Sequence, residues 1–522
     1  MWSHKGHKAD RLRTTTSLLS ARCKRSLQRP TKFEALSYMW GPEDGNHVIT
    51  LNDFPFQVRR NLREALRFLR GYDRTRKEIS SCMYWIDAIC INQDDTTERN
   101  RQLPIMGQIY FRASTVVVWL GSSYQKFPRD SIRAAPGSGA DKKTEDGVSP
   151  RVSSLQKEMI RCLQKDKYWT RLWIIQEIGR ARHLRVCFGD HYMQWEAFAR
   201  LINMNHGDGN TGPLRLDRLL RKDYDDSHTL KRLLEDHREA ECINPRDKIY
   251  GLVGLACDAA DSPMDYNKSL YEVWKDTMVL MNRWGLFKEE SQILPVGSLI
   301  KSLLVADQRS DPWSRIWKEL EDQVDSTQLV EDLMPVNPLI FQLEAIVLGG
   351  IICIGPSASE LVSSPDGTVG WSIAIQRWFP GHELGSAGNE YDKLLSTLLE
   401  CDDSKVEGMC SSRPSVVTWS GETQNSGDCP PETMGVASGL VKPGDLICWV
   451  RSSRRALVVR NNGTGGGGWG PELRVFGTAL VTEDMGRLAP NEQFYTDRWM
   501  SLERELRAQV KVDASTIFAL LE

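Results

Sequence analysis

The sequence predicts an α/β domain built on a mostly parallel sheet over residues 33–192. A mainly helical region over 193–335 and a β-rich region over 336–522 are expected to follow. Three observations predict this. Short apolar runs alternate with helically spaced segments before residue 192, the pattern of strands joined by crossover helices. Residues 84–93, Tyr-Trp-Ile-Asp-Ala-Ile-Cys-Ile-Asn-Gln, form an apolar, β-branched run that breaks abruptly into polar side chains. From about residue 336, apolar runs punctuated by glycine replace the leucine-rich helical pattern.

His47–Leu51 reads as a short strand before a turn at Asn52-Asp53. Asn61 is placed to cap a helix whose Leu62, Ala65, Leu66 and Leu69 share a face. Met83–Ile91 reads as the next strand, Thr96–Phe111 as a helix with Ile105, Met106, Ile109 and Tyr110 on its apolar side, and Thr115–Leu120 as a fully buried strand. Both strand runs are apolar on both faces, which predicts that they lie adjacent at the centre of the sheet. Residues 122–154 are polar and rich in Gly, Ser and Pro, a surface insertion. Helices are expected from about Leu155 to Cys162 and from about Thr170 to Ile178, and a strand at Leu184–Phe188.

In the helical region, Leu214–Leu220 and Leu230–Leu234 carry leucine-rich faces suited to helix packing. Further on, Leu343–Ile354, Gly444–Val450, Ala456–Arg460 and Leu473–Val481 read as strands. The run 461–470 lacks the GK[ST] of a phosphate loop and reads as a hairpin connection. Residues 366–438 read as irregular.

Composition limits the function. The net charge of −2 implies no nucleic-acid partner. No stretch reads as a membrane span; the most apolar, Leu339–Ile354, contains Gln342, Glu344 and paired glycines. The twelve cysteines are scattered, several within apolar runs, and no secretory signal precedes them, so reduced thiols in a cytoplasmic protein are expected. Residues 1–32 are basic, read as a poorly packed lead-in. His183, Cys187 and His191 have suggestive spacing, but a strand spreads such positions over ~13 Å, too far for one metal.

At the end of residues 84–93, two readings stand. Polar residues at the carboxyl end of a strand bind ligands in open α/β sheets. Alternatively, the strand simply turns, and Asn92 and Asp94 cap the next helix. Glu177 is the best acid candidate. With Trp173 at i, i+4 on a helix, the indole would lie beside the carboxylate and raise its pKa. The competing reading is a solvated helix acid paired with Arg171 or Arg180.

Five separated blocks bear on this choice: Phe33–Gly41, Tyr84–Gln93, the Glu98-Arg99, Gln102, Met106, Ile109-Tyr110 and Ala113 set, Val116–Gly121, and Arg171–Glu177. Together they resemble the heterokaryon-incompatibility (HET) domain of filamentous fungi, with a looser likeness at Asn244–Leu255, Asp265-Tyr266 and the C-terminal β segment. Pro104 departs from the apolar residue usual after the Gln. The order strand, helix, strand, then a helix with W-x-x-x-E resembles the Toll/interleukin-receptor (TIR) domain, a flavodoxin-like fold. The resemblance implies fungal non-self recognition and regulated cell death, in the manner of innate immunity, with self-association or a partner protein.

It also implies that Glu177 is the catalytic residue if the domain cleaves the glycosidic bond of NAD or a related nucleotide, here a substrate; no cofactor or metal is expected. Breaking that bond builds positive charge on the ribose, which a carboxylate stabilises. Ser37, Tyr38 and Trp40 in the loop after the first strand, Asp87, Asn92 and Gln93 at the end of the second, Trp119 at the end of the third, and Trp173 would bind the substrate. The rival is a non-enzymatic signalling module whose motifs support packing.

Overall fold

Val116, Val117, Val118 and Trp119 are all buried, with alternate side chains feeding two separate cores, as a strand covered on both faces requires. The computed structural model describes residues 32–42, 47–75, 83–128, 154–179, 181–203, 212–214, 216, 229–259, 264–287, 289–304, 339–357, 415–420, 433–437, 441–453, 455–461, 473–481 and 507–521. The chain divides into two compact units, residues 1–267 and 268–522.

In the first unit a five-stranded sheet is built from β1 (Phe33–Tyr38), β4 (Met83–Trp85), β5 (Thr115–Trp119), β6 (Leu184–Phe188) and β7 (His191–Gln194). Its spatial order is β4-β1-β5-β6-β7; the first four strands are parallel and β7 is antiparallel to β6. Numbered within the sheet, this is 2-1-3-4-5, a doubly wound order whose direction of winding reverses between β1 and β5. On one face, Leu36, Tyr38, Val117 and Trp119 pack against the helix Arg60–Thr75 through Leu62, Ala65 and Leu69. On the other, Ala35, Val116, Val118 and Val186 meet Met106, Tyr110, Met159, Ile174 and Phe198. Beside the sheet, β2 (His47–Leu51) and β3 (Phe54–Val58) form a hairpin, with Asn52 and Asp53 at φ 50° and 66° in the turn.

The apolar run at 83–91 departs from expectation. Only Met83–Trp85 is strand, and it forms an edge, paired with β1 and separated from β5 by it. Asp87–Cys90 is one helical turn; the Asp87 carboxylate accepts the Ala88 N–H at 2.7 Å, which favours a turn over a ladder. A short apolar run does not by itself separate strand from buried helix. The helix expected over 96–111 is broken as well. Thr96–Gln102 and Met106–Arg112 are α-helical, and Leu103–Ile105 between them is a 3-10 turn centred on Pro104, which cannot donate a helical hydrogen bond. Asn61 lies inside its helix and is not its cap. Its side chain donates to Met39 O at 2.6 Å and accepts from Trp119 Nε1 at 2.9 Å. The segment expected as a helix from Thr170 splits into a 3-10 turn, Lys167–Thr170, and a six-residue helix, Ile174–Gly179.

The helices Leu230–Asp236 and Asp247–Val253 complete the first unit; Leu230, Leu233 and Leu234 face its interior. Most of Leu214–Leu220, residues 129–153 of the expected insertion and residues 1–31 lie outside the described residues. The start of that insertion is ordered, with Tyr124 and Phe127 buried.

The second unit contains the helices Leu270–Arg283, opened by a Ser269/Glu272 capping box, and Ile293–Leu304. Its β8 (Ile340–Ser357), β9 (Ser415–Ser420), β10 (Thr433–Ala437), β11 (Leu446–Val450), β12 (Ala456–Asn461) and β13 (Leu473–Val481) close into an antiparallel ring, because β8 pairs with both β9 and β11. Ile351, Ala437, Ile447, Ala456, Val458 and Ala479 form a core there. The stretch 366–438, expected as irregular, supplies β9 and β10. A final strand, β14 (Arg507–Asp513), joins β8 and leads into the helix Ala514–Leu520. Among the described residues no helix is long and apolar enough to cross a membrane.

Candidate functional site

The last two residues of β1 project to opposite faces of the sheet, where its winding reverses. Ser37, on the face of Ala35, is held between two partners: its hydroxyl donates to Glu177 Oε2 and shares a hydrogen bond with the Tyr168 hydroxyl. Tyr168 comes from the 3-10 turn Lys167–Thr170, whose start Asp166 caps by accepting the Tyr168 N–H at 2.9 Å. Arg171 follows that turn, and its Nη2 lies 3.5 Å from Glu177 Oε1. Glu177 is 2 % exposed, and both carboxylate oxygens have a partner.

A second group forms around Asp87. Trp40 Nε1 donates to Asp87 Oδ2 at 2.8 Å, Tyr38 hydrogen-bonds the same carboxylate, and Gln93 Nε2 donates to the Asp87 carbonyl at 3.2 Å. Arg59 stacks over the Trp40 ring at 5.3 Å.

The two groups share one field. Burial raises the Glu177 carboxyl above its ordinary pKa, against the pull of Arg171 and Ser37, and the charge of Asp87 raises it further. Burial likewise raises Asp87, opposed by Trp40 and Arg171. Burial pushes the Tyr38, Tyr110 and Tyr168 hydroxyls up, and carboxylate charge adds to it. These are neutral donors at physiological pH. Two carboxyls thus face one guanidinium, whose Nη1 is buried with no hydrogen-bond partner. A cluster with an excess of acid at the carboxyl ends of β1 and β4 suits a developing positive charge. Among the described residues no group of three or more His, Cys, Asp or Glu is arranged to hold a metal ion.

The structure therefore brings together Glu177, Ser37, Tyr38, Trp40, Asp87 and, at its margin, Gln93. Ser37 and Tyr38 belong to the strand itself, where the sequence suggests a following loop. The other candidates go elsewhere. Asn92 forms a turn, its Oδ1 accepting the Asp94 N–H at 3.2 Å, and Asp95 is the cap of the next helix. Trp119 is 2 % exposed; its ring packs on Phe68 at 5.1 Å and its N–H goes to Asn61, so it serves the core. Trp173 precedes the short helix and sends its N–H to Asp247 Oδ2 at 3.1 Å. The pairing of Glu177 with Arg171 is present, but on a buried acid where the sequence suggested a solvated one. Tyr168 escaped the sequence reading. Its only local signal is Asp166 two residues earlier, a cap that marks a turn and says nothing of where the hydroxyl points.

Comparison with known proteins adds the family. Residues 33–177 match the model described as "Heterokaryon incompatibility protein (HET)". "Heterokaryon incompatibility protein 6, OR allele" of Neurospora crassa is 27% identical over 415 residues, which cover 63% of this chain and 61% of that protein. The match thus spans about three fifths of the relative's length. No solved structure matches the chain. Residues 33–177 of this chain are a heterokaryon incompatibility (HET) domain.

Proposed function

We propose that the chain acts in heterokaryon incompatibility as a cytoplasmic non-self-recognition protein that triggers regulated cell death, and that its HET domain does so by cleaving NAD or a related nucleotide with Glu177. The observation that carries the chemistry is the convergence of Glu177, Asp87 and Arg171 where the sheet's winding reverses, with both carboxyls raised. The 2-1-3-4-5 strand order supports the likeness to TIR domains, whose enzymatic members use a Glu four residues after a Trp. In this reading the nicotinamide–ribose bond breaks as positive charge builds on the ribose, and the Glu177 carboxylate stabilises that charge. Nicotinamide departs as a neutral ring, and water takes its place on the ribose. Ser37 and Tyr168 orient the carboxylate, and Tyr38 and Trp40 supply aromatic surface for a base. Substrate reaches Glu177 when the turn carrying Tyr168 and Arg171 shifts, on self-association or on contact with an incompatibility partner.

A second reading has its own observation. Glu177 is enclosed in an ion pair with Arg171, as expected of a group that holds the fold together in a non-enzymatic signalling module. Incubating the full-length protein with NAD and measuring nicotinamide release, beside Glu177→Gln, separates the two. Release by the wild type and not by the variant supports cleavage. No release from either, with cell death intact in both, supports the signalling module.

A further inference from the structure

The match to the HET family ends at Glu177, but the structure of its site does not. Residues 241–259 and 264–266 brace the segment that carries Arg171 and Glu177, through the backbone and through side chains. On the backbone, the Glu241 N–H donates to Thr170 O at 2.6 Å and the Leu172 N–H donates to Glu241 O at 2.8 Å, a parallel bridge that grips Arg171 from both sides. From the side chains, Trp173 Nε1 donates to Asp247 Oδ2 at 3.1 Å, and Gln176 Nε2 donates to Gly251 O at 2.8 Å. The contact is close: a Cβ on Gly251 would come within 2.8 Å of Leu172 Cδ2, and one on Gly254 within 3.0 Å of the Gln176 amide. The residues on either side of Glu177's turn are thus set from downstream.

Asp247 is the hub of this brace. Its Oδ1 accepts the Tyr266 hydroxyl at 2.6 Å, and Arg99 stacks over the Tyr266 ring at 4.6 Å. Asn100 then closes the circuit, donating to Asp265 Oδ1 at 2.8 Å and accepting the Tyr266 N–H at 3.2 Å. A carboxylate that accepts an indole N–H and a phenol hydroxyl in a largely buried place fixes both rings.

We propose that residues 241–259 and 264–266 form a latch that positions the Glu177 carboxylate, with Asp247 as its positioning residue, so that the site is set from outside the segment bearing its chemistry. This rests on the reading that Glu177 performs chemistry, but its mechanical part does not. A contact that strains the latch would loosen the Arg171–Glu177 turn.

Amide hydrogen exchange in the full-length protein tests it, comparing wild type with Asp247→Ala and Tyr266→Phe. The Gln176 and Glu177 amides, both donating to Trp173 O, should exchange at least about tenfold faster in Asp247→Ala and a few-fold faster in Tyr266→Phe. The strand amides of Val117–Trp119 should be unchanged. If neither variant alters exchange at 176–177, the latch is refuted. If Asp247→Ala speeds strand exchange equally, that variant has merely unfolded, and Tyr266→Phe decides. Nicotinamide release measured in parallel should show a fall in kcat with KM little changed. If the wild type releases none, the cleavage reading fails while exchange still settles the latch.

Discussion

Replacing Glu177 by Gln separates charge from shape at the centre of the site. The carboxylate accepts from Ser37 and faces Arg171 at 3.5 Å, a long and single contact with a guanidinium still one-fifth exposed. Gln keeps an acceptor for Arg171 and gains an N–H that the Ser37 or Tyr168 oxygen can accept. Exchanging a charge-assisted bond for a neutral one costs about 1 kcal/mol. Removing a charge that burial penalises returns a comparable amount. Stability should therefore change by less than about 1 kcal/mol, read by urea unfolding. Glu177→Ala removes the partner of the Arg171 guanidinium, while Ser37 keeps Tyr168, and should cost about 3–5 kcal/mol. Activity should respond in the opposite proportion. Loss of transition-state stabilisation on the order of 2–4 kcal/mol lowers nicotinamide release by about 30- to 1,000-fold. A Glu177→Gln protein that folds normally and retains full NAD cleavage would refute the assignment. One that loses more than about 3 kcal/mol would make the residue structural.

The same groups give a pH dependence. Burial raises Glu177 and Asp87 above their unfolded values, so their stability contribution is complete below the ordinary carboxylate pKa and is lost as pH rises through the folded values. The fall in unfolding free energy from acid to neutral pH should be smaller in Glu177→Gln than in wild type; equal slopes would contradict the raised pKa. Glu34 and Arg185 form a bidentate pair at 2.9 and 3.2 Å, both nearly inaccessible, so Glu34→Ala strands a buried cation and should cost about 3–5 kcal/mol, measured by denaturant unfolding. Asn61→Ala unpairs Met39 O and the Trp119 N–H; a loss of about 2–3 kcal/mol is expected in the same assay, and a loss below 0.5 kcal/mol would show that the bond is dispensable. Asp53→Gly relieves a left-handed turn residue and should raise the melting temperature, by the equivalent of about 0.5 kcal/mol.

Particular residues mark what was legible in the sequence. Thr115–Trp119 and Leu184–Phe188 were, because both are short, largely apolar runs with β-branched residues, and every residue but Thr115 is buried. The run at 83–91 was not, since its helical turn is chosen by hydrogen bonds from Ala88 and Trp40 to Asp87, and Trp40 lies 47 residues away. Ser37, Asp87 and Glu177 could be named as candidates by residue type and motif. Their meeting could not be derived, because it depends on β1 standing between β4 and β5. Trp119 and Asn92 misled for a related reason: an indole or amide at a strand end looks the same whether it meets a ligand or Asn61. The strands within 366–438 pair with each other, but their other partners, β8 and β13, lie far along the chain, which local pattern does not report.

The sheet of the first unit ends in two short margins. On one side stands β4, three residues that give way to a helical turn; on the other β7, four residues that run directly into the helix Trp195–Asn203. Three residues expose only ~10 Å of backbone for another strand to join. The sheet is thus poorly suited to growing into a continuous β-ribbon from copy to copy. If HET domains of this kind gather into assemblies, side chains on helices and loops must choose the neighbour. Specificity would then be written in surface residues that change freely without disturbing the fold.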